Sequence, residues 1–146
     1  MKIYIRSRVK GSPVSVFARF NKDLFLALAS AFPKMTLTRF DGCGLYDETH
    51  LFLHFLGKRE WISKNTAFFE SPEEIYFIDE GIKMPFGMKK WKHIHRITGN
   101  ENGSIIHDEI EYDYNNVFLN LLWWFPFYMQ FSARPRKYRK YFDKNR

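Results

Sequence analysis

One cysteine in 146 residues, Cys43, leaves no partner for an internal disulfide and no thiol cluster for a metal. The expected compartment is therefore reducing and cytoplasmic. Cys43 lies in Asp41-Gly42-Cys43-Gly44, a turn-like stretch with no base nearby, which argues against a nucleophilic thiol. Long apolar runs are missing too. The strongest, residues 117–131, is broken by Asn120, Pro126 and Gln130. It falls short of the roughly 20 apolar residues a bilayer span needs. Met1-Lys2-Ile3-Tyr4-Ile5-Arg6 alternates like a strand instead of offering an apolar leader, so no signal peptide is expected. No Gly-rich phosphate loop, nucleophile elbow or dinucleotide fingerprint occurs, which speaks against the chemistries they carry. Internal repeats, low-complexity stretches and linkers are also absent, so residues 1–146 read as one domain.

Aromatic residues are abundant. Sixteen Phe, eight Tyr and four Trp make 19% of the chain, and such side chains build rigid walls with few rotatable bonds. The net charge of +7 is concentrated at the end of the chain. Residues 134–146 hold Arg134, Arg136, Lys137, Arg139, Lys140, Lys144 and Arg146 against Asp143 alone. A nucleic-acid binder spreads its basic face across the fold, so no nucleic-acid partner is expected. A nearly neutral body with a basic end suits either a solvated helix terminus or peripheral contact with an anionic membrane.

The periodicity predicts a first strand over residues 2–8. Ser12 then caps, and Pro13 opens, a short helix with Val14, Phe17 and Ala18 on one face. A second short helix starts near Asp23 as its cap and runs to Pro33. Six strands follow, over residues 35–40, 50–56, 60–66, 74–82, 89–98 and 104–114, separated by short turn signals. Residues 116–142 read as one long helix, bent at Pro126 and Pro135. Sequential strands with short connections make an antiparallel meander. The only long apolar element available to cover the sheet is the last helix. The expected fold is α+β: a curved seven-stranded antiparallel sheet around a C-terminal helix, with two short helices closing one end.

Two stretches carry the chemistry. Trp91-x-His93-x-His95 projects one indole and two imidazoles from one side of a strand, and Ile106-x-Asp108-x-Ile110-x-Tyr112 does the same for a carboxylate between isoleucines. Three readings stay open for His93, His95 and Asp108: a satisfied buried network, a set of groups that orients a ligand, or metal ligands with Asp108 or Asp79 as third donor. A His–Asp pair in an apolar space also suits general acid–base work. Asp79 and Glu80 are neighbours of which one faces inward, and a one-residue slip in phase swaps them.

The ordered set of segments resembles the START/Bet v 1-like superfamily with its helix-grip fold, and its bacterial ligand-binding and polyketide cyclase-like members in particular. The residues that carry the likeness are Ser12-Pro13-Val14-Ser15-Val16-Phe17, Leu37-Thr38-Arg39-Phe40-Asp41-Gly42 and Tyr76-Phe77-Ile78-Asp79-Glu80. Met84-Pro85-Phe86 with Trp91-Lys92-His93-Ile94-His95 follows, and then residues 104–112. The resemblance implies a hydrophobic cavity between sheet and last helix. It implies no single reaction. The expected partner is an apolar or amphipathic small molecule, lipid-like or polycyclic aromatic, and no cofactor or metal is expected. The expected walls are Trp61, Phe77, Trp91, Ile106, Ile110, Tyr112, Phe118, Leu122 and Phe125, with His93, His95, Asp108 and Asp79 as polar contacts. The alternatives are a cyclase or dehydratase using His93 or His95 with Asp108, and a membrane-surface module built on the aromatic, basic last helix.

Overall fold

Strict alternation decides which face each strand buries, and in residues 103–113 every second side chain is buried: Ser104, Ile106, Asp108, Ile110 and Tyr112. A computed structural model describes residues 1–144, so Arg146 of the basic end lies outside the described residues. The elements are β1 (Lys2–Val9), α1 (Pro13–Phe17), α2 (Lys22–Leu28), β2 (Lys34–Phe40), β3 (Glu48–His54), β4 (Lys58–Glu70), β5 (Glu74–Lys83), β6 (Lys90–Asn100), β7 (Gly103–Asp113), α3 (Val117–Ser132) and α4 (Arg134–Lys144). The strands form one antiparallel sheet in the order β1-β7-β6-β5-β4-β3-β2. The fold is thus α+β: a meander to which β1 adds beside β7.

Local chemistry explains the boundaries. Ser12 caps α1, and Asn21 caps α2 by accepting from the Leu24 amide at 3.0 Å. Asp23 is therefore inside the first turn of α2, not at its cap. Register shifts between β4 and β5, at Ile62/Ser63 and Asn65/Ala67, and between β2 and β3 at Leu37/Arg39, bend the sheet.

The C-terminal helix is long, as expected, and is interrupted beside Pro135, with Ala133 itself still in helical conformation. Pro126 lies inside α3 without ending it, whereas the interruption falls at Ala133. Pro135 becomes the second residue of α4, where a missing amide hydrogen costs nothing. The helix therefore restarts just before this proline.

α4 packs on β1 and α2, and α3 on β1 and β7. Two apolar clusters result. One joins Val16, Leu24 and Leu28 to Ile97, Ile106, Tyr138 and Phe142. The other joins Ile3, Met88, Trp91, Ile110 and Tyr112 to Phe131. Asp108 lies between Ile106 and Ile110, at the seam between the clusters, facing the start of α4.

Candidate functional site

Because α3 and α4 sit over β1 and β7, the space they leave open lies over β2 to β6. A cavity of about 670 Å³ occupies it. Its walls include Leu51, Leu53, Trp61, Phe77 and Trp91 from the sheet, Leu24, Phe25 and Leu28 from α2, and Trp123, Phe127 and Phe131 from α3. Four aromatic rings bridge part of its rim. Phe32 meets Phe55 at 5.5 Å, Phe55 meets Phe86 at 5.8 Å, and Phe86 stacks on Trp123 at 5.3 Å between centroids. They come from the α2–β2 loop, the β3–β4 turn, the β5–β6 loop and α3.

A polar cluster forms the inner end. The register sets His95 opposite Asp108, and Asp79 opposite His93. Asp108 is fully buried. Its Oδ1 accepts from His93 Nε2 at 2.8 Å and from Arg134 Nη1 at 2.7 Å, while His95 Nδ1 stands 3.7 Å away. Burial alone would raise the Asp108 pKa, but the Arg134 charge and the His93 hydrogen bond outweigh it and hold the carboxyl well below its usual range. Burial lowers the pKa of His93 against the pull of Asp108. Burial, then the neighbouring His93, lowers that of His95 further. Both imidazoles are therefore neutral, and His93 donates from Nε2. His95 stacks on Phe77 at 4.4 Å, and its Nδ1 is buried without a hydrogen-bond partner among the described residues, as is Asp108 Oδ2.

Of the residues expected at the site, Trp61, Phe77, Asp79, Trp91, His93 and His95 line the cavity. Asp108 lies behind the two histidines. Ile106, Ile110 and Tyr112 are core residues under the helices, not cavity wall, because α3 and α4 cover β7 directly. Phe118, Leu122 and Phe125 are a further correction. They are 79%, 66% and 62% exposed, on the side of α3 turned away from the cavity. Trp123, Pro126, Phe127 and Gln130 take the wall positions instead. Between Asp79 and Glu80, Asp79 is the inward residue.

Arg134 is the residue that sequence reasoning placed wrongly. It belongs to no solvated tail: it lines the cavity and pairs with Asp108. Lys137 is also withdrawn from the surface charge, since its ammonium donates to the carbonyls of Leu28 and Ala29 at the end of α2. Ser63 and Asn65 were missed as well, although Trp61-x-Ser63-x-Asn65 alternates on one face as clearly as the histidine strand does. Cys43 lines the cavity with its thiol donating to the Phe20 carbonyl, and burial pushes its pKa up to about 12, so it is an unreactive wall group.

The alternative of an acid–base pair would put the proton transfer on an imidazole and not on the carboxyl. Asp108 is held ionised and offers no proton. The wall acid is Asp79, whose pKa burial raises to about 6 against hydrogen bonds from Ser63 and Trp91. Donor atoms of His93, His95 and Asp108 lie within 4.8 Å of one another, a spacing a divalent ion can bridge. Arg134 already takes Asp108 Oδ1, however, and an ion there would face a guanidinium. The cluster is organised around that cation.

These shifts fix the sign of the pH response. Below about pH 6.5 the unfolded chain protonates His93 and His95, while the folded chain keeps them neutral, which favours unfolding. Asp79 acts oppositely, because its folded form takes up a proton near pH 6, before the unfolded form does. Asp108 contributes stability that is lost only as pH falls below the unfolded carboxylate range. As pH falls below about 6.5 the unfolded chain thus binds extra protons at the two histidines, offset in part by the proton that Asp79 takes up near pH 6. Stability is expected to fall by up to about 1.4 kcal/mol per pH unit. Urea unfolding at several pH values checks this, with His95→Phe expected to flatten that slope. Parallel profiles for the two proteins would refute the assignment.

No family model and no curated protein matches the sequence. Solved structures match it in shape. Protein Ms6760 from Mycobacterium smegmatis superposes with a TM-score of 0.68 at 11% identity, over 99% of this chain and 92% of that one. Ara h 8.0201 does so at 0.60 and 12% identity, over 99% of each chain. An AHSA1-like protein from Aeromonas hydrophila gives 0.51 and 12%, over 94% and 91%. At these identities the likeness is one of fold, and it agrees with the element order, the sheet topology and the covering helices: the chain shares with these proteins the helix-grip fold expected from its sequence.

Proposed function

We propose that the protein binds one apolar or amphipathic small molecule in the cavity between sheet and C-terminal helices. The observation that carries this reading is the cavity itself: about 670 Å³ with aromatic walls and a few oriented polar groups at one end. Ligand sites of small molecules span roughly 300–1,000 Å³ and have this composition. The fold is commonly a ligand-binding scaffold, which supports the reading without naming the ligand. Each methylene that enters such a site gains about 0.8 kcal/mol, before the cost of ordering the ligand. The test is a titration with Nile red, a neutral apolar dye. Saturable, one-to-one, blue-shifted emission is expected, and its absence contradicts the proposal.

The exposed side of α3 favours a second activity, contact with an anionic membrane. Val117, Phe118, Leu121, Leu122 and Phe125 are all more than half exposed and carry no charge between them. Arg136, Arg139, Lys140 and Lys144 stay exposed on α4, and cations near such a surface contribute about 1 kcal/mol each. Among the described residues no helix is long and apolar enough to cross a membrane, and the contact proposed is peripheral. The triple variant Phe118→Ser, Leu122→Ser, Phe125→Ser is expected to lose about tenfold or more in co-sedimentation with phosphatidylserine-containing vesicles, with Nile red binding unchanged. Undiminished co-sedimentation would count against it.

A further inference from the structure

Arg134 reaches the cavity with its best edge free. Both of its hydrogen bonds to protein, to Asp108 Oδ1 at 2.7 Å and to Tyr138 Oη at 3.3 Å, run through Nη1. Nε and Nη2 make no hydrogen bond to any described residue, and neither is sealed away from accessible space. The Phe131 ring lies 4.6 Å from the guanidinium carbon and holds its plane. Nε and Nη2 form the side-on fork of an arginine, whose two parallel N–H groups match the two oxygens of a carboxylate. Arg39 of this same protein uses that edge on Asp41, with Nε to Oδ1 at 2.9 Å and Nη2 to Oδ2 at 2.8 Å.

Charge selects the headgroup further. Arg134 is the only lysine or arginine among the described residues that line the cavity. Its charge is already shared with Asp108, and His93 and His95 add no cation. Only part of one positive charge is then left for a ligand, so the second negative charge of a phosphate adds a larger unbalanced charge in a largely apolar space than a carboxylate does. A singly charged carboxylate is the anion that one side-on fork can hold. Asp79, the other ionisable acid of the wall, is occupied by Ser63 and Trp91.

We propose that the cavity takes amphipathic monocarboxylic acids, with the carboxylate seated on the Nε/Nη2 edge of Arg134. The apolar body runs along Leu51, Phe77, Trp91 and Phe127 toward the rim at Phe55 and Phe86. This rests on the cavity-binding reading and names its ligand class.

Decanoate and decan-1-ol, matched in chain length, each displace Nile red from the full chain at pH 6, where Asp79 carries only part of its charge and decanoate is still mostly ionised. Decanoate is expected to compete at concentrations lower by about tenfold or more, the scale of a charge-assisted hydrogen-bonded pair. Arg134→Lys keeps the charge but not the fork. It is expected to erase most of the acid's advantage and leave the alcohol unaffected. Equal potency of acid and alcohol on the wild-type protein overturns the proposal and leaves the cavity reading standing. Failure of Nile red itself to bind removes both. If Arg134→Lys does not fold, the wild-type comparison of acid with alcohol alone decides.

Discussion

Replacing Arg134 by methionine is expected to lower the unfolding free energy by about 3–5 kcal/mol, because it strands the Asp108 carboxylate in the interior. Asp108 has no exposure to solvent, and its second oxygen already lacks a partner among the described residues. Without the guanidinium, the folded chain must either keep an uncompensated charge or protonate the carboxyl. For a domain of this size the loss corresponds to a fall in Tm of about 10 °C or more. The cost belongs to the broken pair more than to the missing contact. The double variant Asp108→Asn, Arg134→Met is therefore expected to recover a large part of it, as removal of both partners of a buried ion pair generally does. Thermal and urea unfolding of the two variants measure this directly. A single variant within about 1 kcal/mol of wild type would show that Arg134 does not hold Asp108 in the core.

Leu53→Trp is the complementary change, one that spares the fold and removes the space. Leu53 sits in β3, lines the cavity and is only half-buried. An indole at this position has room to extend into the cavity. Loss of room for two methylenes of ligand costs about 1.6 kcal/mol, or about 15-fold in affinity. Filling apolar space leaves thermal stability unchanged or raises it. Nile red titration together with thermal unfolding separates the two effects. Unchanged affinity for the dye would place its site elsewhere.

Where the sequence alternates, it could be read. β7 buries alternate residues along its whole length, and the pairing of Trp91, His93 and His95 on one side followed from period two alone. The order of elements and the antiparallel meander were legible for the same reason. The two histidines and the carboxylate met because the register sets His95 opposite Asp108. α3 was the opposite case. Its apolar residues go nearly all round, so no phase could be extracted, and Phe118, Leu122 and Phe125 were assigned to the wrong side. The interruption at Ala133 lies beside Pro135, one of the two prolines at which a bend was expected, while Pro126 sits inside α3 without ending it.

Arg134 was hidden for a different reason. A carboxylate between Ile106 and Ile110 demands a cation or a proton, and that much was readable. Which of seven basic residues at the chain end supplies it depends on how α4 crosses β1 and β7, a tertiary fact with no periodic trace. The cavity's position followed the same rule. Ile106, Ile110 and Tyr112 share the inward face with the wall residues, but the helices settle on β1 and β7 and displace the open space toward β2 to β6.

Native mass spectrometry of the protein, purified from cells without organic solvent, tests the central claim most directly. The account predicts a discrete added mass, released on denaturation and identified as an amphipathic acid of lipid-like or aromatic body. Bare polypeptide that also fails to take up decanoate or Nile red when they are supplied would contradict it.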